Sequence, residues 1–255
     1  MITSKDNPTI KWIRSLQSGR KYRRQSNAFV IEGPKLLNEA LQAGNQLEHV
    51  LLTEDAQVHE SELLSRLPEA VVPTPVSEQV LASCSDAVTP QGLLAVVSTP
   101  VARIPDPCTF ALVLDRVRDP GNLGTLLRTA RAAGVEVVLL TEGTVDPFNP
   151  KVVRAGMGAQ LVVPILEIST AMLPALLPGM RIWIADSGGG TPYDSVDWQP
   201  PTALVVGNET HGTSEELLFF AHGRVNIPMP GSAESLNAAV AGAVLLFEIV
   251  RQRKR

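Results

Sequence analysis

Short apolar runs that alternate with helical patterns constrain the fold of this chain more than any other feature. Six of these runs, which all lie after residue 109, read as strands, namely FALVLD, VEVVLL, LVVPIL, RIWIAD, TALVVG and RVNIPM. This alternation favours a parallel sheet that is covered by helices. Ligands of open α/β sheets bind beyond the carboxyl ends of the strands. The chemistry is therefore expected in the loops that follow Asp115, Leu140, Asp186, Gly207 and Met229.

A smaller α/β region precedes this one. AFVIEG, HVLLT and LLAVVS read as strands, and GPKLLNEALQAG and SELLSRL read as helices. The stretch STPVARIPDPCT, with prolines at 100, 105 and 107, is typical of a linker. We therefore predict a first domain at residues 1–98, which begins with a basic arm, a linker at 99–107, and a second domain at 108–255.

Composition excludes several classes of protein. The chain has 255 residues, of which 44% are hydrophobic and 19% charged, as is typical of a globular protein with a buried core. We expect no membrane association, because no apolar run is long enough to span a bilayer and the N-terminus lacks the apolar core of a signal peptide. Cys84 and Cys108 form no metal-ligand or redox pattern. We therefore expect no metal site, and a location in the reducing cytoplasm.

The distribution of basic residues favours a nucleic acid partner, although the net charge of −4 argues weakly against one. The first two dozen residues contain Asp6 as their only acid, and their cations either form a solvated terminus or bind phosphates. Trp12 and Tyr22 lie among them and either stack on bases or dock the arm. The candidate RNA-binding residues are Lys11, Arg14, Arg20, Lys21, Arg23 and Arg24, together with Lys151 and Arg154 from a later loop.

Two loops of the second region place polar residues at the start of a predicted helix. In DPGNLGTLLRTARAAG, Asn122 is the predicted helix cap. Arg128 lies outside the buried stripe of that helix, and spacing alone favours an ordinary surface arginine. In DPFNPKVVRAGMGAQ, Lys151 and Arg154 share one helix face, which either holds a phosphate or is solvated.

Two further loops follow predicted strands. In VVGNETHG, Gly207 lets a ligand approach the backbone, and Glu209 is able to accept from a ligand or to orient an arginine. In IPMPGSAESLNAAVAG, Ser235 or Asn237 is the predicted cap of the last helix. The small residues of that helix predict the close approach of another backbone. The short SGGG stretch at 187–190 reads as a flexible loop.

Four segments, NLGTLLRTA, DPFNPKVVRAGMGA, VVGNETHG and IPMPGSAESLNAAVAG, resemble in this order the motifs of the SpoU/TrmH family of RNA 2′-O-ribose methyltransferases. The basic N-terminal region resembles the substrate-binding domain that many members carry. This resemblance implies an α/β fold, in which a small N-terminal RNA-binding domain precedes a C-terminal parallel-sheet domain of the SPOUT class with a trefoil knot. It also implies S-adenosylmethionine as cofactor, RNA as substrate, and a homodimer formed through the methyltransferase domain.

The resemblance assigns roles to individual residues. Arg128 binds the phosphate or ribose of the target nucleotide, and Glu209 orients Arg128 or places the substrate. The proton acceptor stays open, because arginine side chains remain protonated in water. The implied catalytic residues are Asn122, Arg128, Glu209, Ser235 and Asn237. The implied cofactor-binding residues are Leu204, Val205, Gly207, Asn208, Ile227, Met229 and Leu236.

Three alternatives remain beside the predicted methylation of 23S ribosomal RNA. A transfer RNA is the first alternative substrate. A non-catalytic RNA-binding protein on the same fold is the second, but it would be expected to lack Arg128, Glu209 or Asn237, and all are present. A dinucleotide-dependent oxidoreductase is the third, and the glycine fingerprint that it needs after the first strand is not found.

The chain departs from the family pattern at Gly156, where relatives often carry a serine. This position is mainly structural.

Overall fold

The structure is a computed structural model, and it describes residues 1–208 and 212–254. Its contacts divide the chain into two compact units. The first comprises Met1–Pro100 and Asp146–Val162, and the second comprises Val101–Val145 and Val163–Arg255. The contacts thus assign residues 146–162 to the first unit, whereas the sequence analysis placed them in the second domain. The exact domain boundaries stay a prediction.

The helices and strands are numbered along the chain. The helices are α1 (Pro8–Ser18), α2 (Arg20–Ser26), α3 (Pro34–Gln42), α4 (Glu54–His59), α5 (Ser61–Leu64), α6 (Glu78–Cys84), α7 (Pro120–Ala133), α8 (Pro150–Gly156), α9 (Leu173–Leu176), α10 (Glu215–Phe220) and α11 (Ala238–Arg253). The strands are β1 (Ala28–Glu32), β2 (Leu47–Leu52), β3 (Thr74–Pro75), β4 (Leu93–Ser98), β5 (Phe110–Leu114), β6 (Val137–Thr141), β7 (Ile165–Ile168), β8 (Arg181–Ala185), β9 (Thr191–Pro192), β10 (Thr202–Val206) and β11 (Gly223–Asn226). Two short 3-10 helices lie at Ala159–Leu161 and Thr170–Met172.

The first unit is built on a four-stranded sheet in the described part of the chain, with the order β1-β4-β2-β3. Strand β4 pairs antiparallel with β1 and with β2, and β2 pairs parallel with β3. Alternate side chains of a strand point to opposite faces of a sheet, so each face needs its own cover. Side chains of α1 and α6 pack on one face, and side chains of α3 and α8 pack on the other.

The basic N-terminal segment is a pair of packed helices rather than an extended arm. Asn7 caps α1 by accepting from Thr9 N, and Ile10, Ile13 and Leu16 place one apolar stripe of α1 in the core. Trp12 Nε1 donates to Ser26 Oγ on α2 at 3.0 Å. Its ring also lies edge-on to that of His49 on β2, with 5.5 Å between the ring centroids, and packs against the core, so Trp12 docks the segment on the domain as one of its two alternatives predicted.

The second unit contains a seven-stranded sheet among its described residues, in the order β7-β6-β5-β10-β8-β11-β9, and every recorded pairing is parallel. All six strands predicted from the apolar runs are confirmed, with two corrections of extent. The run at 161–166 becomes a strand only at Ile165, because Ala159–Leu161 forms a 3-10 helix. Strand β11 ends at Asn226, before the proline of the IPM segment. The two-residue β9 was not predicted.

Helices α7 and α11 pack against each other, and α11 also contacts β10. Gly242 permits the close packing, since a Cβ atom at this position would lie 2.5 Å from Leu126 Cδ2 on α7. At Gly242, the missing side chain therefore makes room for a leucine side chain of the neighbouring helix. The predicted end of α7 at Gly134 is confirmed, with φ of 76°.

Candidate functional site

A cavity of about 360 Å³ opens at the carboxyl ends of β8, β10 and β11, entirely within the second unit. Strand-end backbone and the IPM segment form much of its wall, and the first half of α11 closes one side. Its position agrees with the rule that ligands of parallel sheets bind at this edge. The predicted site residues that line it are Gly207, Asn208, Ile227, Met229, Ser235 and Leu236.

Two predicted cofactor-binding residues are buried beside the cavity, and their assignment stays a prediction. Leu204 and Val205 are 0% exposed and are not among the residues that line the cavity. Strand β10 is flanked by β5 and β8, so its interior side chains lie in the core. Only the carboxyl end of the strand is open, and Val206 takes the place beside the cavity.

Asp115 holds the loops around this edge of the sheet together. Its carboxylate is 1% exposed and follows β5 directly. Oδ1 accepts from Thr141 Oγ1 at 2.6 Å, and Oδ2 accepts from Ser214 N at 2.8 Å. Arg116 Nε lies 3.4 Å from Oδ2 and balances the buried charge. The ends of β5 and β6 and the loop after β10 are thereby fixed to one another.

The loop after β10 closes on itself through Asn208 and Gly212, whose backbone groups exchange two hydrogen bonds of 3.1 and 2.9 Å. Asn208 Nδ2 also donates to Arg116 O at 3.0 Å, so this predicted cofactor residue uses its side chain to anchor the loop. Glu209, the predicted partner of Arg128, lies outside the described residues. Its role stays a prediction.

Asn122 and Asn237, which are 115 positions apart, meet in the structure. Asn237 Nδ2 donates to Asn122 Oδ1 at 2.9 Å, while Asn237 Oδ1 accepts from Ala239 N and Val240 N and caps α11. The cap of α7 is Asp119, whose Oδ1 accepts from Asn122 N at 2.7 Å. The prediction that Asn122 caps α7 is therefore wrong, and its side chain is left to contact Asn237.

Arg128 and Ser235 are both exposed. Arg128 lies on α7 outside the stripe that Leu123, Leu127 and Ala130 bury. It has no hydrogen-bond or ion-pair partner among residues 1–208 and 212–254. An exposed, unpaired guanidinium is suited to an anionic ligand.

Several residues of the cavity wall were not named as site residues from the sequence, and Thr213, Asp186 and Arg224 are among them. Thr213 Oγ1 is buried without a partner in the described part of the chain, and Asp186 and Arg224 form an ion pair. The rule that ligands bind at strand ends could have identified Asp186, because it directly follows β8. Nothing in the sequence pattern indicates Arg224, which becomes a wall residue only through the pairing of β11 with β8.

Among the predicted RNA-binding cations of the first unit, Arg23 is buried, which contradicts its predicted contact with RNA. It is 5% exposed, and its Nε and Nη2 lie 2.8 and 2.6 Å from Asp146 Oδ2, while Nη1 donates to Leu16 O. A buried guanidinium that is held in this way supports the packing of α2 and cannot reach a phosphate. Arg14, Lys21 and Arg24 are exposed and Arg20 is half-buried.

The remaining candidate cations differ in their pairing. Lys11 Nζ lies 2.9 Å from Asp6 Oδ1, and this ion pair lowers the pKa of the Asp6 carboxyl. On α8, Lys151 is exposed, and Arg154 Nη1 lies 2.9 Å from Asp86 Oδ2. Since exposed ion pairs are weak, Lys11 and Arg154 remain able to exchange their partners for phosphates.

Two classes of site are not found. Across residues 1–208 and 212–254, no three His, Cys, Asp or Glu side chains are grouped so as to hold a metal ion. Over the same described ranges, every helix is too short or too polar to cross a lipid bilayer.

The fold and the cavity together define an α/β protein that binds a small ligand at the carboxyl edge of a parallel sheet. Residues 109–247 match the model of the SpoU rRNA Methylase family, and residues 7–95 match the model of the MRM3-like substrate binding domain. The chain belongs to the SpoU rRNA methylase family.

Relatives match over nearly the whole chain. A Synechocystis protein described as a tRNA/rRNA methyltransferase is 37% identical, over 99% of this chain and 94% of its own length. The 23S rRNA (guanosine(2553)-2'-O)-methyltransferase of Bacillus subtilis is 32% identical, over 97% of this chain and 98% of its own. The solved structure of an AdoMet-bound rRNA methyltransferase from Sinorhizobium meliloti is 32% identical with a TM-score of 0.88, and covers 98% of this chain and 97% of that one.

Proposed function

We propose that this protein methylates a ribose 2′-hydroxyl group of 23S ribosomal RNA, with S-adenosylmethionine as the methyl donor. The observation that carries the proposal is the cavity at the carboxyl ends of β8, β10 and β11, which lies beside the start of α11. At that start, Asn237 contacts Asn122. The family match to both parts of the chain, and a named 23S rRNA relative over 97% of it, support the substrate.

The wall of the cavity fits this methyl donor. Ile227, Met229 and Leu236 supply apolar surface for an adenine ring, and cavities of this size are common for small ligands. Thr213 Oγ1 is buried and has no partner in the described residues, so a polar ligand atom would satisfy it. These features are those of a pocket for a molecule with one flat apolar part and several polar groups.

S-adenosylmethionine, when bound, supplies a methyl group on a positively charged sulfur. The chain must then hold the ribose hydroxyl in line with that carbon and accept its proton. Asn237 is suited to orient the hydroxyl, because its position is fixed by the helix cap and by Asn122. Ser235 is exposed at the edge of the cavity and offers a second hydroxyl contact.

Arg128 binds the phosphate or ribose of the target nucleotide in this proposal. It is exposed and unpaired among the described residues, so it would gain charge-assisted hydrogen bonds on binding RNA. In the first unit, Arg14, Lys21 and Arg24 would add phosphate contacts that are independent of sequence.

The substrate is tested by methyl transfer from labelled S-adenosylmethionine to 23S rRNA and, separately, to total tRNA, followed by mapping of ribose methylation. We expect label on a ribose of 23S rRNA. Transfer RNA is the second candidate, because the description of the Synechocystis relative names both RNAs. Label on tRNA alone would contradict the choice of rRNA. Binding of both cofactor and RNA without transfer would favour the non-catalytic alternative.

The role of Arg128 is tested by Arg128→Ala. We expect methyl transfer to fall by about a hundredfold or more, because a fixed charge at the reacting nucleotide is lost, while calorimetry shows unchanged binding of S-adenosylmethionine. Arg181→Ala is the matched control, since Arg181 is also exposed but lies at the opposite, amino end of β8. Full activity of Arg128→Ala would refute the assigned role.

Three further features belong to the same proposal. The exposed apolar face of α11 supports a homodimer through the second unit. The position of β10 between β5 and β8, together with the packing of α11 on α7, supports a trefoil knot. An experimental structure in which the C-terminal segment is not threaded through a loop would contradict it. The free cysteines, Cys84 and Cys108, agree with action in the cytoplasm.

A further inference from the structure

Two residues of the cavity wall, Asp186 and Arg224, form an ion pair, and neither was predicted to bind the cofactor. Arg224 Nη1 donates to Asp186 Oδ2 at 3.1 Å, and both residues line the cavity. Asp186 follows β8 and Arg224 lies on β11, so the parallel pairing of these strands brings the two charges together. The side chains are 53% exposed for Arg224 and 27% exposed for Asp186, which leaves both accessible to a ligand.

The loop at 187–190 fixes the carboxylate rather than forming an unstructured connection. Asp186 Oδ1 accepts from Gly188 N at 2.8 Å. A Cβ atom on Gly190, whose φ is 139°, would lie 2.6 Å from Arg224 O, so only glycine lets this loop pass against β11. The carboxylate is therefore held on both oxygens, and each oxygen retains capacity for a further hydrogen bond.

Arg224 keeps most of its donors for a ligand. A guanidinium has five N–H groups, and the recorded bond of Arg224 among the described residues uses one of them. Much of the neighbouring wall is apolar, from Ile227, Met229, Leu236 and Leu245. Because a charged group loses hydration when it enters such a cavity, the charged end of a ligand belongs where the wall itself carries charge.

We propose that Asp186 and Arg224 bind the amino-acid end of the methyl donor, with the guanidinium receiving the α-carboxylate and the carboxylate receiving the α-ammonium group. The inference rests on the proposed function, because it names a contact within that cofactor site. An ion pair offers adjacent opposite charges, which is the complement of a zwitterion, and an arginine matches a carboxylate with two parallel hydrogen bonds.

The test is calorimetry on the full-length protein with two probes. S-adenosylhomocysteine carries the amino-acid end, and 5′-methylthioadenosine shares its adenosine and thioether but lacks that end. For Arg224→Ala we expect roughly tenfold weaker binding of S-adenosylhomocysteine, since charge-assisted hydrogen bonds are lost at a half-exposed position. The affinity for 5′-methylthioadenosine should stay within about twofold, because its binding does not use these bonds.

Arg181→Ala is the matched control, because it removes the other recorded arginine pair on β8, with Asp197 at 3.7 Å, away from the cavity. This variant should bind both probes like the wild type, and thermal unfolding confirms that each variant is folded. Parallel weakening of both probes by Arg224→Ala, or no weakening of either, would overturn the inference while wild-type binding still upholds the proposed cofactor.

Asp186→Asn tests the second half of the contact. The amide keeps the shape of the side chain but loses its charge, so S-adenosylhomocysteine should bind more weakly and 5′-methylthioadenosine should not. Equal weakening of both probes would assign Asp186 to the ribose hydroxyls and contradict the inference. Failure of the wild type to bind S-adenosylhomocysteine would instead remove the proposed function, and this inference with it.

Discussion

The side chain of Asn237 makes two kinds of contact at once. Its Oδ1 accepts from the first free N–H groups of α11, and its Nδ2 donates to Asn122 Oδ1. A helix cap and a contact within the proposed site thus depend on one amide. Burial also separates two arginines at this scale, because Arg23 is buried against Asp146 and supports packing, whereas Arg128 is exposed, as its proposed contact with RNA requires.

Substitution of Asn237 can separate the two contacts. Aspartate is as good a helix cap as asparagine, so Asn237→Asp should cost little stability, whereas Asn237→Ala should cost about 1 kcal/mol. Both variants lose the donor to Asn122, and we expect both to lose most of the methyl transfer activity. Urea unfolding and the transfer assay measure the two effects, and a fully active Asn237→Asp variant would show that the bond to Asn122 is dispensable.

At the scale of elements, the packing of α11 against α7 supports the proposed site, since Asn237 caps α11 and Asn122 lies on α7. Gly242 and Leu126 determine how closely the two helices approach, and Leu126 is 0% exposed. A second close approach, which lies in the first unit, accounts for Gly156, the first glycine of the RAGMGA motif. A Cβ atom on Gly156 would lie 2.7 Å from Oε1 of Gln160, whose Nε2 donates to Pro147 O.

Gly242→Ala should destabilise the protein, although alanine is the better helix former by about 1 kcal/mol. The added methyl group would overlap a packed leucine, and overpacking of a core costs about 1–3 kcal/mol. When Gly242→Ala is combined with Leu126→Ala, the free energy of unfolding should fall by less than the sum of the two single decreases. The reason is that the smaller side chain at position 126 leaves room for the added methyl group. Urea unfolding of the four proteins measures this, and strictly additive losses would contradict the proposed contact.

At the scale of the whole molecule, the exposed apolar surface of α11 supports the proposed dimer. Val240 and Phe247 are 48% and 49% exposed, and a spacing of seven residues places them on one helix face. Leu236, which precedes the helix, is 37% exposed and also lines the cavity. A second copy of the chain on this face would cover the apolar surface and lie close to the proposed cofactor.

Phe247→Glu should convert the proposed dimer to a monomer, because a charge would have to be buried in an apolar contact. Light scattering coupled to gel filtration measures the mass. Phe219→Glu is the matched control, since Phe219 is 84% exposed on a different helix, α10, and it should leave the mass unchanged. A monomeric wild-type protein would contradict the proposed assembly.

Much of the fold could be predicted from the sequence, because the strands of a parallel sheet are buried on both faces and therefore appear as apolar runs. The six predicted strands are confirmed on this ground. The helices α1 and α2 were missed, since their many charges hide the apolar stripe of α1, and the two-residue strands β3 and β9 are too short to give a pattern. The cap of α7 was misassigned because both Asp119 and Asn122 are good capping residues.

The sequence by itself determined the class of sheet, the edge at which a ligand binds, and the family, since these depend on local periodicity and on residue types in a fixed order. Only the tertiary structure decided which of the named residues meet. It paired Asn122 with Asn237 and Asp186 with Arg224, and it buried the side chains of Arg23, Leu204 and Val205. The reason is physical, because burial and pairing depend on which segments pack together, and sequence spacing does not specify this for residues far apart in the chain.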